Sequence, residues 1–303
     1  MNYFNFFVLF LFGLGIGSFL NVISLRYQPN NGFFNLKTIN GRSKCPDCHR
    51  QLAWYELVPI LSFLIQKGRC LHCKRRLSLQ YPLIEILTGL IFVFVPLSLT
   101  YLLRQGFSEA SNLRLTTYGF NYLQLLVVGC WLLVFLLLIL LSIIDFRNYI
   151  IPDAINILLA ICGIILITLT TRNSQLATSF IGHYYLLFGY FSNVWLNHIF
   201  AAAFGMIFFG LIIILSRGKA MGWGDFKLAG ALGLVFGWPD FLMILFLSFI
   251  TGAVSSLFLL AKKEKTMKDV VPFGPFLAIG AALTFFFGFQ IIDFYFKFFG
   301  ILY

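Results

Sequence analysis

The stretch Gly222-Trp223-Gly224-Asp225-Phe226 separates two apolar parts of the chain, residues 199–216 and the run that resumes at Leu228. An aspartate therefore lies where a membrane-spanning segment begins or ends. Because glycine has no Cβ, Gly222 and Gly224 permit irregular backbone angles or the close approach of another chain segment. Acidic residues beside membrane spans are costly and are candidates for function. The stretch predicts a membrane protein with a carboxylate at one bilayer surface.

The composition supports this assignment. Of the 303 residues, 60% are hydrophobic and 11% are charged, with a mean hydropathy of +0.89, whereas soluble domains carry about 25% charged residues. The apolar runs predict an all-α fold, a polytopic membrane helix bundle of about eight spans. We expect a first span (1–25), a polar cytoplasmic insertion (26–80) and a membrane bundle (81–303).

Three details of the apolar runs carry expectations. Gly13, Gly15 and Gly17 in the first run are spaced for close packing of another helix, and a polar residue such as Asn21 often bonds between membrane helices. Residues 227–236 are too short for a span unless they continue further or form a half-helix buried in the bundle. Residues 174–193 are aromatic and nearly uncharged, which is compatible with an interfacial segment.

The basic residues orient the bundle. With the N-terminus outside and eight alternating spans, most of the 22 Lys and Arg residues lie in inside segments. The exceptions are Arg104, Arg114, Arg172 and Lys297. Positive residues favour the cytoplasmic side, so this arrangement places the insertion, Asp145 and Asp225 there. The same arrangement explains the net charge of +11, so nucleic-acid binding is not needed to account for it.

The insertion contains two C-x-x-C pairs, Cys45 with Cys48 and Cys70 with Cys73. Each pair presents two thiolates from one turn, and two such knuckles close a tetrahedral Zn²⁺ site. Four protein ligands leave no open position, so we expect a structural zinc knuckle. Disulfides and redox thiols are the alternatives, of which lasting disulfides are disfavoured in the cytoplasm.

Asp145 ends the run 123–144 and Asp225 begins a later one. If their hairpins are neighbours, the two carboxylates share one proton, because both cannot easily ionise. That arrangement lets an aspartic protease activate water and protonate the leaving amide. The alternative is that each aspartate pairs separately with a local base, Arg147 or Lys227.

Two further aspartates follow prolines. Asp153 comes after Pro152, and Asp240 comes after Pro239. Aspartate is a preferred N-cap residue, because its side chain accepts from free amides at a helix start. We therefore interpret both residues first as helix caps, and we keep Asp153 as a candidate supporting residue of the site.

At these residues the sequence resembles a family, the prepilin leader peptidases, which are G-x-G-D membrane aspartyl proteases. The motif consists of Gly222, Gly224 and Asp225, with Asp145 as its partner. The resemblance extends through residues 17–22, 68–70, 81–85 and 272–276 and covers nearly the whole chain. Trp223 departs from the family, in which small residues are common between the glycines. Phe146-Arg147 departs too, because many bifunctional members repeat an aspartate two positions after the first.

The resemblance implies an activity. Such enzymes remove the basic leader of type IV prepilins and pseudopilins, cutting after a glycine on the cytoplasmic side of the bacterial inner membrane. Members with the cysteine insertion typically also methylate the new N-terminus with S-adenosylmethionine. Asp145 and Asp225 would be the catalytic pair, with Gly222 and Gly224 as supporting residues.

Glu85, at the start of the second span, has two interpretations. It is either a cap or a partner of Arg75 or Arg76, or it recognises the positive leader or the new amine, since intramembrane acids usually need a partner.

The other classes considered are a leader peptidase without methylation, a polytopic transporter with a regulatory zinc knuckle, and a non-enzymatic assembly scaffold. Transporters usually have broken helices near the midplane, whereas the acids here lie at one face, which favours the peptidase.

Overall fold

A computed structural model describes residues 3–29, 41–45, 47–108, 122–172, 179–189, 191–219, 221–262 and 271–300, without the side chains of 101–108, 183 and 186. Arg114 and residues 263–270, which entered the orientation argument, lie outside these ranges, as do residues 174–178 and 190 of the aromatic segment. Within the ranges the fold is all-α. The helices are α1 (Tyr3–Arg26), α2 (Leu61–Ile65), α3 (Gln80–Ser108), α4 (Tyr122–Asn148), α5 (Asp153–Arg172), α6 (Val194–Leu215), α7 (Trp223–Phe236), α8 (Asp240–Ala261) and α9 (Gly274–Phe298), with short 3-10 helices at Trp54–Glu56 and Gly182–Phe188.

Seven of these helices are long and apolar enough to cross a membrane, so the chain is a multi-pass membrane protein. The exception among the longer helices is α7, with 14 residues. At 1.5 Å per residue it is about 21 Å long, which is shorter than the roughly 30 Å hydrocarbon core. It ends before Gly237, whose φ of 74° a helix cannot continue through. Residues 228–233 of α7 are all buried, so the half-helix interpretation is confirmed.

The chain divides into two compact units, Met1–Leu97 and Ser98–Tyr303. In the first, α1 packs closely against the start of α3. A Cβ on Gly13 would lie 2.8 Å from the Cα of Gly89, and the Asn21 amide donates to the Tyr81 carbonyl at 3.3 Å. The close packing and the interhelical bond are therefore confirmed. Gly15 has open space around its Cβ position and takes no part in this contact.

In the second unit, α7 packs against α5 and α6, and α9 packs against α4 and α8. Small residues allow α7 to contact α5 and α6 closely. A Cβ on Gly233 would lie 2.6 Å from the Cα of Ala202, and one on Gly163 would lie 2.9 Å from the carbonyl carbon of Leu234. Because α7 is held so closely on two sides, the position of its first turn is well defined. That turn carries Asp225.

The aromatic segment is partly buried in protein. Phe180, Ile181 and Tyr184 are each at most 4% exposed, whereas Leu187 and Phe191 are 56% and 39% exposed. Asp240 explains the burial, because its Oδ1 accepts from Ser179 Oγ and from the Phe180 and Ile181 amides at 3.0–3.2 Å. Asp240 is thus the first residue of α8 but binds this segment with its side chain. Its interpretation as the cap of its own helix is wrong.

Candidate active site

Asp145 lies in the last turn of α4 and is 4% exposed. Its Oδ2 accepts a hydrogen bond from the Gly274 amide at 3.1 Å, and Gly274 is the first residue of α9. The amides at a helix N-terminus have no partner within the helix and carry partial positive charge. The start of α9 therefore stabilises the charged form of this buried carboxyl group.

Asp225 lies in the first turn of α7 and is 9% exposed. Its Oδ2 accepts from the Gly222 amide at 3.3 Å, which closes the start of its own helix. Its Oδ1 is buried and has no hydrogen-bond partner among the described residues. A buried oxygen without a partner is costly, so Asp225 presents an acceptor that a ligand, a proton or a water molecule would satisfy.

The surroundings of the two carboxyl groups meet at Ile151, which lies in the loop between α4 and α5. Its side chain lies 3.0 Å from a Cβ placed on Gly224 and 3.3 Å from one placed on Gly274. The buried isoleucine thus contacts the first turns of both α7 and α9. No sequence motif marks Ile151 or the contact between Gly274 and Asp145, although 272–276 belongs to the resemblance.

The two glycines before Asp225 have different roles. Gly222 is the N-cap of α7 with φ −90° and ψ 157°, angles that any residue adopts. A Cβ there would meet its nearest atom, Asp225 Oδ2, at 3.8 Å. Neither glycine shows the irregular backbone that the sequence suggested. Gly224 is needed for close approach, because a Cβ there would meet Ile151 at 3.0 Å.

The alternative ion pairs are not formed. Lys227 forms an ion pair with Asp153 at 2.8 Å and not with Asp225. In the described part of the chain, no ion pair joins Arg147 to Asp145. Asp153 is the first residue of α5. The first hydrogen bonds of that helix end on the carbonyl of Pro152, so Pro152 occupies the cap position. The cap interpretation of Asp153 is therefore wrong, and its exposed side chain joins α5 to α7.

Trp223, the residue between the two glycines, is 63% exposed and contacts the ring of Phe226 at 5.7 Å between centroids. It points away from the buried surroundings of Asp225. This position is compatible with an anchor at the membrane interface, where tryptophan is enriched.

The four cysteines of the insertion form one cluster in which all Sγ atoms lie within 4.8 Å of one another. The two turns have equal geometry. The Cys45 amide donates to the Arg50 carbonyl and the Cys70 amide to the Arg75 carbonyl, and His49 and Lys74 each have a positive φ near 60°. The four sulfurs fit the ligand set of a tetrahedral zinc ion.

The four thiols of the cluster affect one another. Amide groups of Cys73 and His72 lower the pKa of Cys70 to about 7, whereas desolvation and hydrogen bonds with the other three sulfurs raise the pKa of Cys73 to about 11. Arg75 pairs with Asp47 at 3.1 Å and so links the two turns. His49 and His72, which adjoin Cys48 and Cys73 in the sequence, are exposed.

Glu85 has partners other than the predicted arginines. Its Oε2 accepts from the Ile60 amide at 2.8 Å, and Ser18 also hydrogen-bonds the carboxylate. The ion pairs of the described residues include none between Glu85 and Arg75 or Arg76, so the interpretation of Glu85 as a partner of these arginines is not supported. Glu85 is 6% exposed, and it connects the insertion to α1 and α3.

Comparisons with known proteins agree with the geometry. Residues 11–99 match the Bacterial Peptidase A24 N-terminal domain, and residues 132–257 match the Type IV leader peptidase family. The chain is 31% identical to a prepilin leader peptidase/N-methyltransferase of Aeromonas salmonicida strain A449, covering 95% of this chain and 92% of that one. Proteins with the same name from Bacillus subtilis strain 168 and Legionella pneumophila are 30% and 28% identical over 96% and 97% of this chain, and over 97% and 96% of their own. No solved structure matches the chain.

These similarities define a membrane-embedded peptidase. The chain belongs to the type IV leader peptidase family, whose members process type IV prepilins.

The contact between Gly224 and Ile151 leads to a prediction. Gly224→Ala would push α7 from Ile151 and displace Asp225, so we expect leader cleavage to fall by about tenfold or more, since small misplacements of reacting groups are costly. Gly222→Ala is the matched control and should cleave like the unchanged protein. The measurement is the rate of leader release in proteoliposomes at equal amounts of inserted protein. Equal activity of the two variants would contradict the assigned role of Gly224.

Proposed function

We propose that Asp145 and Asp225 are the catalytic pair of an aspartic endopeptidase that removes the leader of type IV prepilins or pseudopilins after a glycine. The observation that supports this most strongly is the pair itself. Two buried carboxyl groups each accept a hydrogen bond from an amide at a helix start, and their surroundings meet at Ile151. One oxygen of Asp225 has no partner in the described residues.

The chemistry follows from one shared proton. Two neighbouring carboxyl groups hold one proton between them, because both cannot easily ionise. The ionised member takes a proton from water, and the resulting hydroxide attacks the carbonyl carbon of the glycine. The protonated member donates to the carbonyl oxygen and stabilises the developing charge. A proton then passes to the leaving nitrogen as the C–N bond breaks, which yields a carboxylic acid and a free amine.

We also propose that the site faces the cytoplasm of the bacterial inner membrane, with the N-terminus outside. Asp145 ends α4 and Asp225 begins α7, beside the basic residues Arg147 and Lys227. The insertion, which is rich in Lys and Arg, follows the basic end of α1. Basic segments next to membrane spans favour the cytoplasmic side, where prepilin leaders would be reached.

The catalytic pair makes the sharpest prediction. Asp145→Asn and Asp225→Asn keep the size of each side chain but remove its ability to exchange a proton. We expect each to lower leader cleavage by about 100-fold or more, the range lost with a general acid or base. The assay is cleavage of a purified prepilin by the reconstituted full-length protein.

Asp153→Asn is the matched control for this series. Asp153 lies in the same region but is exposed and bonded to Lys227, and exposed ion pairs contribute only about 0–1 kcal/mol. We therefore expect this variant to keep most of its cleavage activity. Full cleavage by either Asn variant of the pair, or loss in the Asp153 variant equal to theirs, would refute the assignment.

We propose further that Cys45, Cys48, Cys70 and Cys73 hold one structural Zn²⁺. The ion would hold the two turns of a segment that has little apolar core, because structural zinc supplies folding free energy. We expect one zinc per chain by elemental analysis of purified protein. Cys70→Ser should lose the zinc and expose the insertion to limited proteolysis, whereas Cys130→Ser, in α4, should retain both. Full zinc content in Cys70→Ser would contradict the ligand set.

Finally, we propose N-methylation of the new N-terminus with S-adenosylmethionine, on the strength of the relatives' shared name. A cavity of about 140 Å³ lies beside the start of α8. Ligand pockets are usually about 300 Å³ or more, so this cavity does not fit the cofactor.

Methylation is tested separately from cleavage. We expect label from [methyl-³H]S-adenosylmethionine to appear on the mature pilin and not on the uncleaved precursor, because only cleavage creates the amine. Asp145→Asn should methylate a pilin supplied already cleaved. Cleavage without any label on the product would identify a peptidase that lacks the second activity.

A further inference from the structure

A cavity of about 140 Å³ lies in the second unit, at the end of the bundle opposite the aspartate pair. Gln124, in the first turn of α4, lines it, whereas Asp145 occupies the last turn of the same helix. That separation along α4 is about 30 Å at 1.5 Å per residue. The cavity therefore plays no part in the proposed cleavage. The spans α6 and α8 begin beside it, which places it at the depth of lipid headgroups.

Several of the donors that line the cavity are already engaged. The Asn197 amide donates to the Trp238 carbonyl at 2.7 Å, the Trp238 indole to the Phe188 carbonyl at 2.9 Å, and Ser179 to Asp240 at 3.0 Å. His198 Nδ1 faces the Leu234 carbonyl at 2.8 Å. A carbonyl only accepts, so Nδ1 carries the proton and Nε2 of the neutral ring is an acceptor.

One of the remaining acceptors has no partner. Asn197 is 5% exposed, lines the cavity, and its Oδ1 has no hydrogen bond in the part of the chain that the structure describes. A buried polar atom without a partner is rare in native structures. The Oδ1 of Asn197 therefore indicates that a donor belongs in the cavity.

Asp240 supplies a carboxyl group to the cavity. It is 2% exposed, and its three hydrogen bonds from Ser179, Phe180 and Ile181 all end on Oδ1. Burial disfavours a charge on this group, whereas the three donors favour one. Buried charges are normally paired, and the ion pairs of the described residues all lie elsewhere. A cation in the cavity beside Asp240 would therefore favour its ionised form.

The walls are aromatic. Trp131, Phe180, Phe236 and Trp238 line the cavity, and the rings of Trp131 and Phe236 contact each other at 5.0 Å. Aromatic faces attract cations, and aromatic cages with a carboxylate recognise organic ammonium groups. An inorganic ion would instead require several oxygen ligands at close range.

We propose that this cavity binds a small organic ammonium group. Its N–H groups donate to Asn197 Oδ1 and to the Asp240 carboxylate, and its carbon atoms contact the aromatic walls. The group is the headgroup amine of an ethanolamine lipid or a free primary amine, which share this chemistry.

The experiment uses full-length protein in an uncharged detergent. Ethylammonium chloride replaces sodium chloride at constant ionic strength, while the thermal midpoint is followed by tryptophan fluorescence and binding is measured by calorimetry. We expect a saturable rise of the midpoint, since a ligand that binds only the folded state stabilises it. Asp240→Asn keeps an oxygen for the three donors but removes the charge, and should weaken binding by about 30-fold or more.

The controls separate this site from general effects. Asp293→Asn removes an acid on α9 that bonds Tyr184 and Lys297 and does not line the cavity, so it should bind ethylammonium like the unchanged protein. Asn197→Leu tests the second acceptor should Asp240→Asn fail to fold, and it too should weaken binding. No saturable effect, an equal effect of potassium chloride, or unchanged binding in both cavity variants would overturn the proposal.

Nanodiscs distinguish the two sources. A midpoint that is higher in phosphatidylethanolamine than in phosphatidylcholine, with the difference lost in Asp240→Asn, identifies the lipid headgroup. A response to ethylammonium of equal size in both lipids identifies a free amine. Absence of both responses overturns the proposal.

Discussion

The site depends on two helix N-termini that face buried carboxylates. Neither Asp145 nor Asp225 has a basic partner in the described residues, and in a membrane there is little water to replace one. Backbone amides bind them instead. The Gly274 amide of α9 donates to Asp145 at 3.1 Å, and the Gly222 amide at the start of α7 donates to Asp225 at 3.3 Å. Such amides lack partners within their own helices, so each contact satisfies both groups. The bond between Gly274 and Asp145 requires α9 to begin where α4 ends, whereas the bond between Gly222 and Asp225 lies within the start of α7.

Close packing makes this arrangement possible. The short α7 fits between α5 and α6 because Gly233 and Gly163 allow backbone contacts below the usual side-chain distance. Ile151 then fills the space between the first turns of α7 and α9. An apolar loop residue thereby positions two acidic groups that it does not bind. Interiors are packed densely, so a change of one methyl group at this point is expected to move a carboxylate.

Much of this was predictable from the sequence. Apolar length located the spans, the short run at 227–236 indicated a buried half-helix, and cysteine spacing indicated the metal cluster, because these signals are local. The partners of Asp153, Glu85 and Asp240 were not predictable. Each of these acids binds a group that lies between 25 and 74 positions away, and a residue after proline has the same local signal whether it caps its helix or binds elsewhere. No sequence pattern marked Ile151, because it acts only by filling the space between the first turns of two helices.

The acids of the second unit differ in how many hydrogen bonds their oxygens accept. This difference helps to distinguish an acid with a structural role from one suited to proton transfer. Asp240 receives three donors on Oδ1, which holds the segment 179–181 in place. Asp225 receives one, on Oδ2, and its other oxygen has none in the described residues. Each hydrogen bond favours the charged form of a carboxyl group, so three donors oppose protonation of Asp240 more than one donor opposes protonation of Asp225. The surroundings of Asp225 also meet those of a second acid, Asp145, at Ile151, whereas no second acid lines the cavity beside Asp240 in the described residues. By this criterion Asp225 is suited to sharing a proton and Asp240 to holding residues 179–181 in place, although both are aspartates at the first turn of a helix.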